Sequence, residues 1–245
     1  MGSVVGPLWI LEDGYSMQFD GTDDYIDCGN MPEMNGLTQA TWSCWFKRVT
    51  FTTGKWLMGT FGGGVGATYD QFAVFCGNSS LVIYARDTAY GGGTPAMFSH
   101  TLFWNLDYWY HITVVFDGTE AINADKFKVY LDKVQLVNAL APGDDMTDLN
   151  TVPSPFLIGK NGNVAATWLG NIDEVAIWDK ALTPAEVSAL YSNGRPIKLH
   201  SPPFNPIAWY RMGDNGVFKD PQWLLPENSN KDKNTNYSMS FDGTD

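Results

Sequence analysis

The sequence is short of basic residues, of cysteine and histidine, and of any long apolar run. Fifteen Lys and Arg stand against 27 Asp and Glu, a net charge of −12 at pH 7. A surface of that sign repels phosphate backbones, which argues against a nucleic-acid partner. No stretch nears the roughly 20 continuous apolar residues that cross a bilayer. The N-terminus lacks the basic-then-apolar order of a signal peptide, so neither membrane insertion nor export is expected. Met1-Gly2-Ser3 does not complete a myristoylation motif, because Gly6 stands where Ser or Thr is needed. Cys28, Cys44 and Cys76 show no CxxC spacing and are odd in number, so neither a disulfide framework nor a zinc site is expected, and intracellular folding fits. His100, His111 and His200 are scattered, and no Ser or Cys stands in a nucleophile-elbow context.

What is present is mostly β-pattern. Thr41 to Val49 alternates, with Trp42, Cys44 and Phe46 on one face and Ser43, Trp45 and Lys47 on the other. Trp42 and Trp178 are expected in the core, and Cys44 reads as a small buried hydrophobe. Tyr110, Ile112, Val114 and Phe116 form an apolar face within Trp109 to Asp117. Further strands are expected at 56–61, 71–75, 81–86, 127–131, 134–137, 156–158 and 172–178, with Asp132-Lys133 as a tight hairpin turn. Many short alternating strands separated by Gly-, Asn- and Pro-rich turns predict an all-β sandwich or jelly roll of two antiparallel sheets. Thr183-Pro184-Ala185-Glu186 is a capping box with Pro at the first helical position, so one short C-terminal helix is expected there, packed against the sandwich edge and stopped by Asn193-Gly194.

The two ends of the chain repeat one another. Tyr15–Asp23 returns as Tyr237–Asp245 with eight of nine residues identical, Gln18 becoming Ser240, at an offset of 222 residues. That period is too long for a solenoid and suits duplication of a whole domain. The expected organisation is a lead-in over 1–14, a jelly roll over 15–195, and a Pro-rich and polar linker over 196–236 with an extra strand at 208–212. Residues 237–245 then start a second unit or serve as a strand-exchange segment.

These motifs resemble the LamG-like jelly rolls of the concanavalin A-like lectin/glucanase superfamily. Phe19-Asp20-Gly21-Thr22-Asp23-Asp24-Tyr25-Ile26 is similar to the opening strand pair, and Thr41–Phe46 to the second core strand. Trp109–Gly118 is similar to the W-x-H strand. Val129-Tyr130-Leu131-Asp132-Lys133 is similar to the VYLDG hairpin, with Lys133 in place of Gly. Gly170–Trp178 followed by Ala181–Val187 is similar to the closing segment. The tail, Ala208–Asp214 and then Tyr237–Gly243, resembles junctions between LamG-like units in structural proteins of tailed phages and other viruses. The resemblance implies a non-enzymatic structural, decoration or adhesion module on a virion surface, in a capsid or tail fibre, folded in the host cytoplasm. Its partners would be other virion proteins or copies of itself as a homo-oligomer, with possible contact to host glycans. The alternatives are a free-standing carbohydrate-binding lectin and an inactive glucanase relative.

The superfamily includes glucanases, but retaining hydrolysis needs two carboxylates about 5 Å apart on one face. Asp173 and Glu174 alternate to opposite faces, so catalysis is not expected. Gly62–Ala67 and Tyr90–Thr94 read as surface loops able to flank a ligand cleft rather than as phosphate loops. The resemblance implies a structural Ca²⁺, with Asp20 and Asp173 as oxygen ligands on neighbouring first and last strands. The competing reading has Asp20 capping a β-turn and Asp173 bonding backbone amides. Sugar rings stack on exposed aromatic faces, so Trp56, Tyr69, Tyr90, Trp104, Trp109 and Trp168 are candidate platforms, and His111, on the face of Trp109, is a candidate donor to a sugar hydroxyl.

Overall fold

A computed structural model describes residues 16–50, 54–60, 71–86, 96–139, 146–162, 166–200 and 202–212. Tyr69, Tyr90, both glycine clusters and the repeated segment 237–245 lie outside them. The described strands are β1 (Met17–Asp20), β2 (Ile26–Asn30), β3 (Gln39–Arg48), β4 (Lys55–Gly59), β5 (Phe72–Cys76), β6 (Ser80–Ala85), β7 (Ala96–Thr101), β8 (Trp109–Asp117), β9 (Phe127–Leu131), β10 (Val134–Gln135), β11 (Pro155–Ile158), β12 (Leu169–Trp178) and β13 (Ala208–Tyr210). One helix, α1 (Pro184–Tyr191), follows β12. The strands form two antiparallel sheets. One has the order β1-β12-β3-β8-β9-β10, with β13 also on β12, and the other β2-β11-β4-β5-β6-β7. This is the expected two-sheet jelly roll. No helix among the described residues is long and apolar enough to cross a membrane.

Alternation fills the space between the sheets. Trp42, Cys44 and Phe46 of β3 meet Phe72, Val74 and Cys76 of β5 and Ile112, Val114 and Phe116 of β8 in one core, and Trp42 stacks on Phe72 at 3.7 Å. All three cysteines are free and buried, and desolvation pushes the Cys76 thiol up to about 12, so none is a ready nucleophile. The hairpin between β9 and β10 turns on Asp132 (φ 49°) and Lys133 (φ 65°). That left-handed pair gives the turn the twist of its strands without glycine, and so Lys133 is tolerated there.

The face opposite the core is also covered, and the cover is the helix. The Thr183 hydroxyl accepts from Glu186 N while the Glu186 carboxylate takes Thr183 N at 2.7 Å, a complete capping box. Val187 and Leu190 of α1 then pack on Val115, Tyr130, Ala176 and Trp178. The helix lies on the outer face of the seven-stranded sheet rather than at the sandwich edge. A sheet edge offers only unpaired backbone groups, whereas this face offers a large apolar surface. The Pro-rich stretch after α1 is likewise packed rather than a free linker: Leu199 and Phe204 join the same cluster, Trp178 Nε1 donates to Phe204 O at 2.9 Å, and β13 pairs with β12. The domain therefore runs on to Met212.

Candidate functional site

The covered face separates the expected site residues. His111 is 2% exposed beneath α1, with Trp45 at 4.7 Å and Tyr191 at 6.0 Å from its ring. Desolvation pushes its imidazole down to about 3, so it is neutral and cannot reach a sugar hydroxyl. Trp104 and Trp168 are inside the sandwich, 4% and 0% exposed, because they enclose a buried cation. Arg48 turns inward from the end of β3, its guanidinium 5.6 Å from the Trp104 ring and 6.0 Å from that of Trp168. Arg48 Nη1 and Trp104 Nε1 both donate to Gly77 O, at 2.7 and 2.9 Å. Trp56 is 4% exposed on the outer side of the six-stranded sheet, closed over by Phe75, Tyr84 and Ala166. These four residues present no stacking face, which corrects the sequence expectation: their rings go to core filling and to desolvating Arg48.

Trp109 is different. It shares the outer face with His111 but stands beyond the reach of α1, half-buried, with the Lys47 ammonium 5.7 Å from its ring. Register makes it the end of a row. Gln18 lies opposite Asn171, Asn171 opposite Lys47, and Lys47 opposite Trp109, across β1, β12, β3 and β8. With strands about 4.8 Å apart the row is roughly 14 Å long. It forms a strip of amide, amide, ammonium and indole on the uncovered part of the face.

Asp20 lies on the same face, two residues beyond Gln18. Its carboxylate Oδ1 accepts from Thr22 N at 2.7 Å, and Asp24 Oδ2 accepts from Asp20 N at 2.9 Å, so the Gly21 turn (φ +81°) folds the loop back on itself. Carboxylate oxygens of Asp20, Asp23 and Asp24 thereby lie within 4.8 Å of one another. Such oxygen-only clustering suits Ca²⁺. Asp173 is not its partner. β1 is indeed beside β12, but Asp20 pairs with Leu169, four residues or roughly 13 Å along the strand from Asp173. Asp173 is 1% exposed and its Oδ1 accepts from Glu174 N at 2.8 Å, the backbone role.

Glu174 is buried too, at a bulge where its own φ is +51°, accepting from Trp209 Nε1 with Arg211 Nε at 3.7 Å. Glu174 reaches only a cavity of about 10 Å³, too small for a sugar, which Trp45, His111 and Leu199 also line. A groove of about 500 Å³ lined by Asn30, Pro32, Asn35, Thr151, Val152 and Pro153 has no aromatic wall, and its Asn35 Oδ1 already accepts from Gln71 Nε2 and Val152 N. The polar strip is the better-equipped surface. Gln18, Asn171 and Lys47 went unread in the sequence because no single strand shows the row.

A family model described as the concanavalin A-like lectin/glucanases superfamily matches residues 20–188. No curated protein matches the sequence. Among solved structures the chain is similar to a heptameric SAP-like pentraxin from Limulus polyphemus, at 18% identity and TM-score 0.50, over 73% of this chain and 82% of that one. It is similar to a Bacteroides ovatus protein provisionally assigned to carbohydrate binding, at 16% identity and TM-score 0.55, over 89% of this chain and 57% of that one. It is also similar to the CBM40 module of a Ruminococcus gnavus IT-sialidase bound to α2,3-sialyllactose, at 15% identity and TM-score 0.50, over 72% and 96%. At these identities the likeness is one of fold.

Proposed function

Because this chain belongs to the concanavalin A-like lectin/glucanase superfamily, we propose that it is a carbohydrate-binding, non-enzymatic module. The observation that carries the reading is the row Gln18, Asn171, Lys47 and Trp109, on the outer sheet face beyond the part buried by α1, Leu199 and Phe204. The indole offers a sugar ring a flat apolar face; the Gln18 amide and the Lys47 ammonium supply donors to its hydroxyls, and Asn171, whose Nδ2 donates to Ser16 Oγ at 3.1 Å, supplies its amide oxygen as an acceptor. Binding sugars is also what two of the similar structures are described as doing. Trp109→Ala is expected to weaken glycan binding by about 30-fold or more, the usual scale for an aromatic anchor, while leaving the melting temperature within about 2 °C. Binding on a glycan array that survives this substitution removes the reading.

The Asp20, Asp23 and Asp24 cluster fits a structural Ca²⁺ that ties the β1–β2 turn at one end of the strip. Saturating Ca²⁺ is expected to raise the melting temperature by several degrees, since a ligand at 100 times its Kd adds about 2.7 kcal/mol. Asp24→Asn should abolish the rise. Identical melting with Ca²⁺ and with chelator excludes the site.

A place on a virion surface, as an adhesion or decoration module beside other virion proteins or copies of itself, is a further proposal. It is supported by the resemblance of the tail to junctions in viral structural proteins and by the 222-residue period. Antibodies to this chain should label intact particles, and unlabelled particles that nonetheless contain the chain would rule out surface display.

A further inference from the structure

The polar strip has a shape as well as a composition. It crosses β1, β12, β3 and β8 from one margin of the sheet to the other, and β1 is the outermost strand at its first end. At the second end β9 pairs with β8 only over Ile112 to Phe116, so among the described residues no strand stands beyond Trp109. Both ends are open. One long side is walled, because the next row along the strands holds Asp173, Trp45 and His111, all buried. The Tyr191 ring of α1 stands over the last two, at 5.6 and 6.0 Å, with the Lys133 ammonium 5.5 Å from it. The other long side has no such cover among the described residues. Two residues on, the same registers give Asp20, Leu169 and the exposed Val49.

A site that selects the end of a glycan must close on that end. This shelf closes on nothing along its axis, so a bound glycan runs out of it in both directions. Its four side chains sit on four adjacent strands at intervals of about 4.8 Å, close to the width of a pyranose ring. Successive rings of an extended glycan chain therefore meet successive side chains, and roughly three rings fill the row. A coiled chain curls off after the first contacts. The floor is also twisted, by roughly 20° per strand and so about 60° from end to end. A single hydrated glycan chain turns with such a floor, whereas the flat face of a crystalline polysaccharide does not.

We infer that the strip takes the interior of a single, extended, equatorially linked glycan chain, with Trp109 on one ring and Gln18 on the third. The inference rests on the reading of the strip as a glycan site. Lys47 and Asn171 then serve the hydroxyls between, one as donor and the other through its amide oxygen.

Titration calorimetry on the full protein with β-1,4-linked cello-, xylo-, manno- and chito-oligosaccharides of one to six sugars tests this. In the series that binds, affinity should rise about tenfold or more from one sugar to three and then level off. Capping the reducing end as a methyl glycoside should leave it unchanged. Gln18 is exposed, so Gln18→Ala keeps the fold. It should weaken binding of three sugars and longer by about fivefold and leave the disaccharide unaffected, while Trp109→Ala weakens every length. Tightest binding to a monosaccharide or disaccharide, loss on capping, or a Q18A effect equal at all lengths overturns the inference. So does a preference for maltohexaose, which coils, or for crystalline cellulose, and so does failure of all four series to bind. The glycan-site reading is judged apart from these outcomes: Trp109-dependent binding of any other glycan on an array preserves it.

Discussion

Arg48→Ala is expected to cost on the order of 3 kcal/mol, read as a fall in the urea midpoint at unchanged slope. The side chain is 1% exposed and fills space between Trp104 and Trp168. Truncation leaves a cavity that two rigid indoles cannot close. Arg48→Met should behave quite differently, costing less than about 1.5 kcal/mol or even stabilising the fold. It refills the volume and relieves the desolvation of the guanidinium, the same burial that holds its pKa below the usual arginine range. Nor does it orphan Gly77 O, which keeps the Trp104 Nε1 donor at 2.9 Å. If methionine is as damaging as alanine, the cation itself is required, and packing is not the reason for its burial.

Acid should expose two opposed titrations in neighbouring groups. His111 N donates to Asp132 Oδ1 at 2.8 Å. Burial pushes the His111 imidazole from 6.5 down to about 3 and the Asp132 carboxyl from 3.8 up to about 6. For His111 the folded value is depressed, so its contribution is intact above pH 6.5 and is lost as pH falls toward 3. For Asp132 the folded value is raised, so its contribution is intact below pH 3.8 and is lost as pH rises through 6. Each changes stability by about 1.4 kcal/mol per pH unit where only one state is protonated. Between pH 6 and 4.5 the slopes cancel, and the unaltered chain should show little net change from this pair. His111→Gln removes the falling contribution, so relative to the parent it should gain on the order of 2 kcal/mol across that window. Asp132→Asn should lose a similar amount. Denaturant midpoints at pH 6 and 4.5 for the three proteins decide the matter, and parallel pH curves would show that neither group titrates differently on folding.

Local patterns in the sequence carried far into the fold. Alternation in Thr41–Val49 and Trp109–Asp117 identified the two central strands and their core faces. The Thr183–Glu186 box identified the helix start, and Cys44 and Trp42 are buried as their spacing implied. The site was less legible. Ten tryptophans invite a choice of platform, and spacing alone could not separate Trp109, which is open, from Trp104 and Trp168, which are interior. The Ca²⁺ ligands show the same division. Asp20 is legible from the Gly21 turn beside it, and its neighbours Asp23 and Asp24 stand in the same motif. Asp173 is suggested by the adjacency of first and last strands, and β1 does lie beside β12, but in a register that separates the two carboxylates.

The sequence by itself determined most of the strands, their buried faces and the capped helix, because each depends on residues within one or two turns or strands of each other, and it showed the matching ends by direct identity. Only the tertiary structure decided which outer face the helix covers, that Arg48 goes inward and takes two indoles with it, and that Gln18, Asn171, Lys47 and Trp109 form one row. Those outcomes depend on cross-strand register and on competition for apolar surface between segments from about fifty to more than a hundred residues apart. A period of two shows which way a side chain points, but not what will be packed over it.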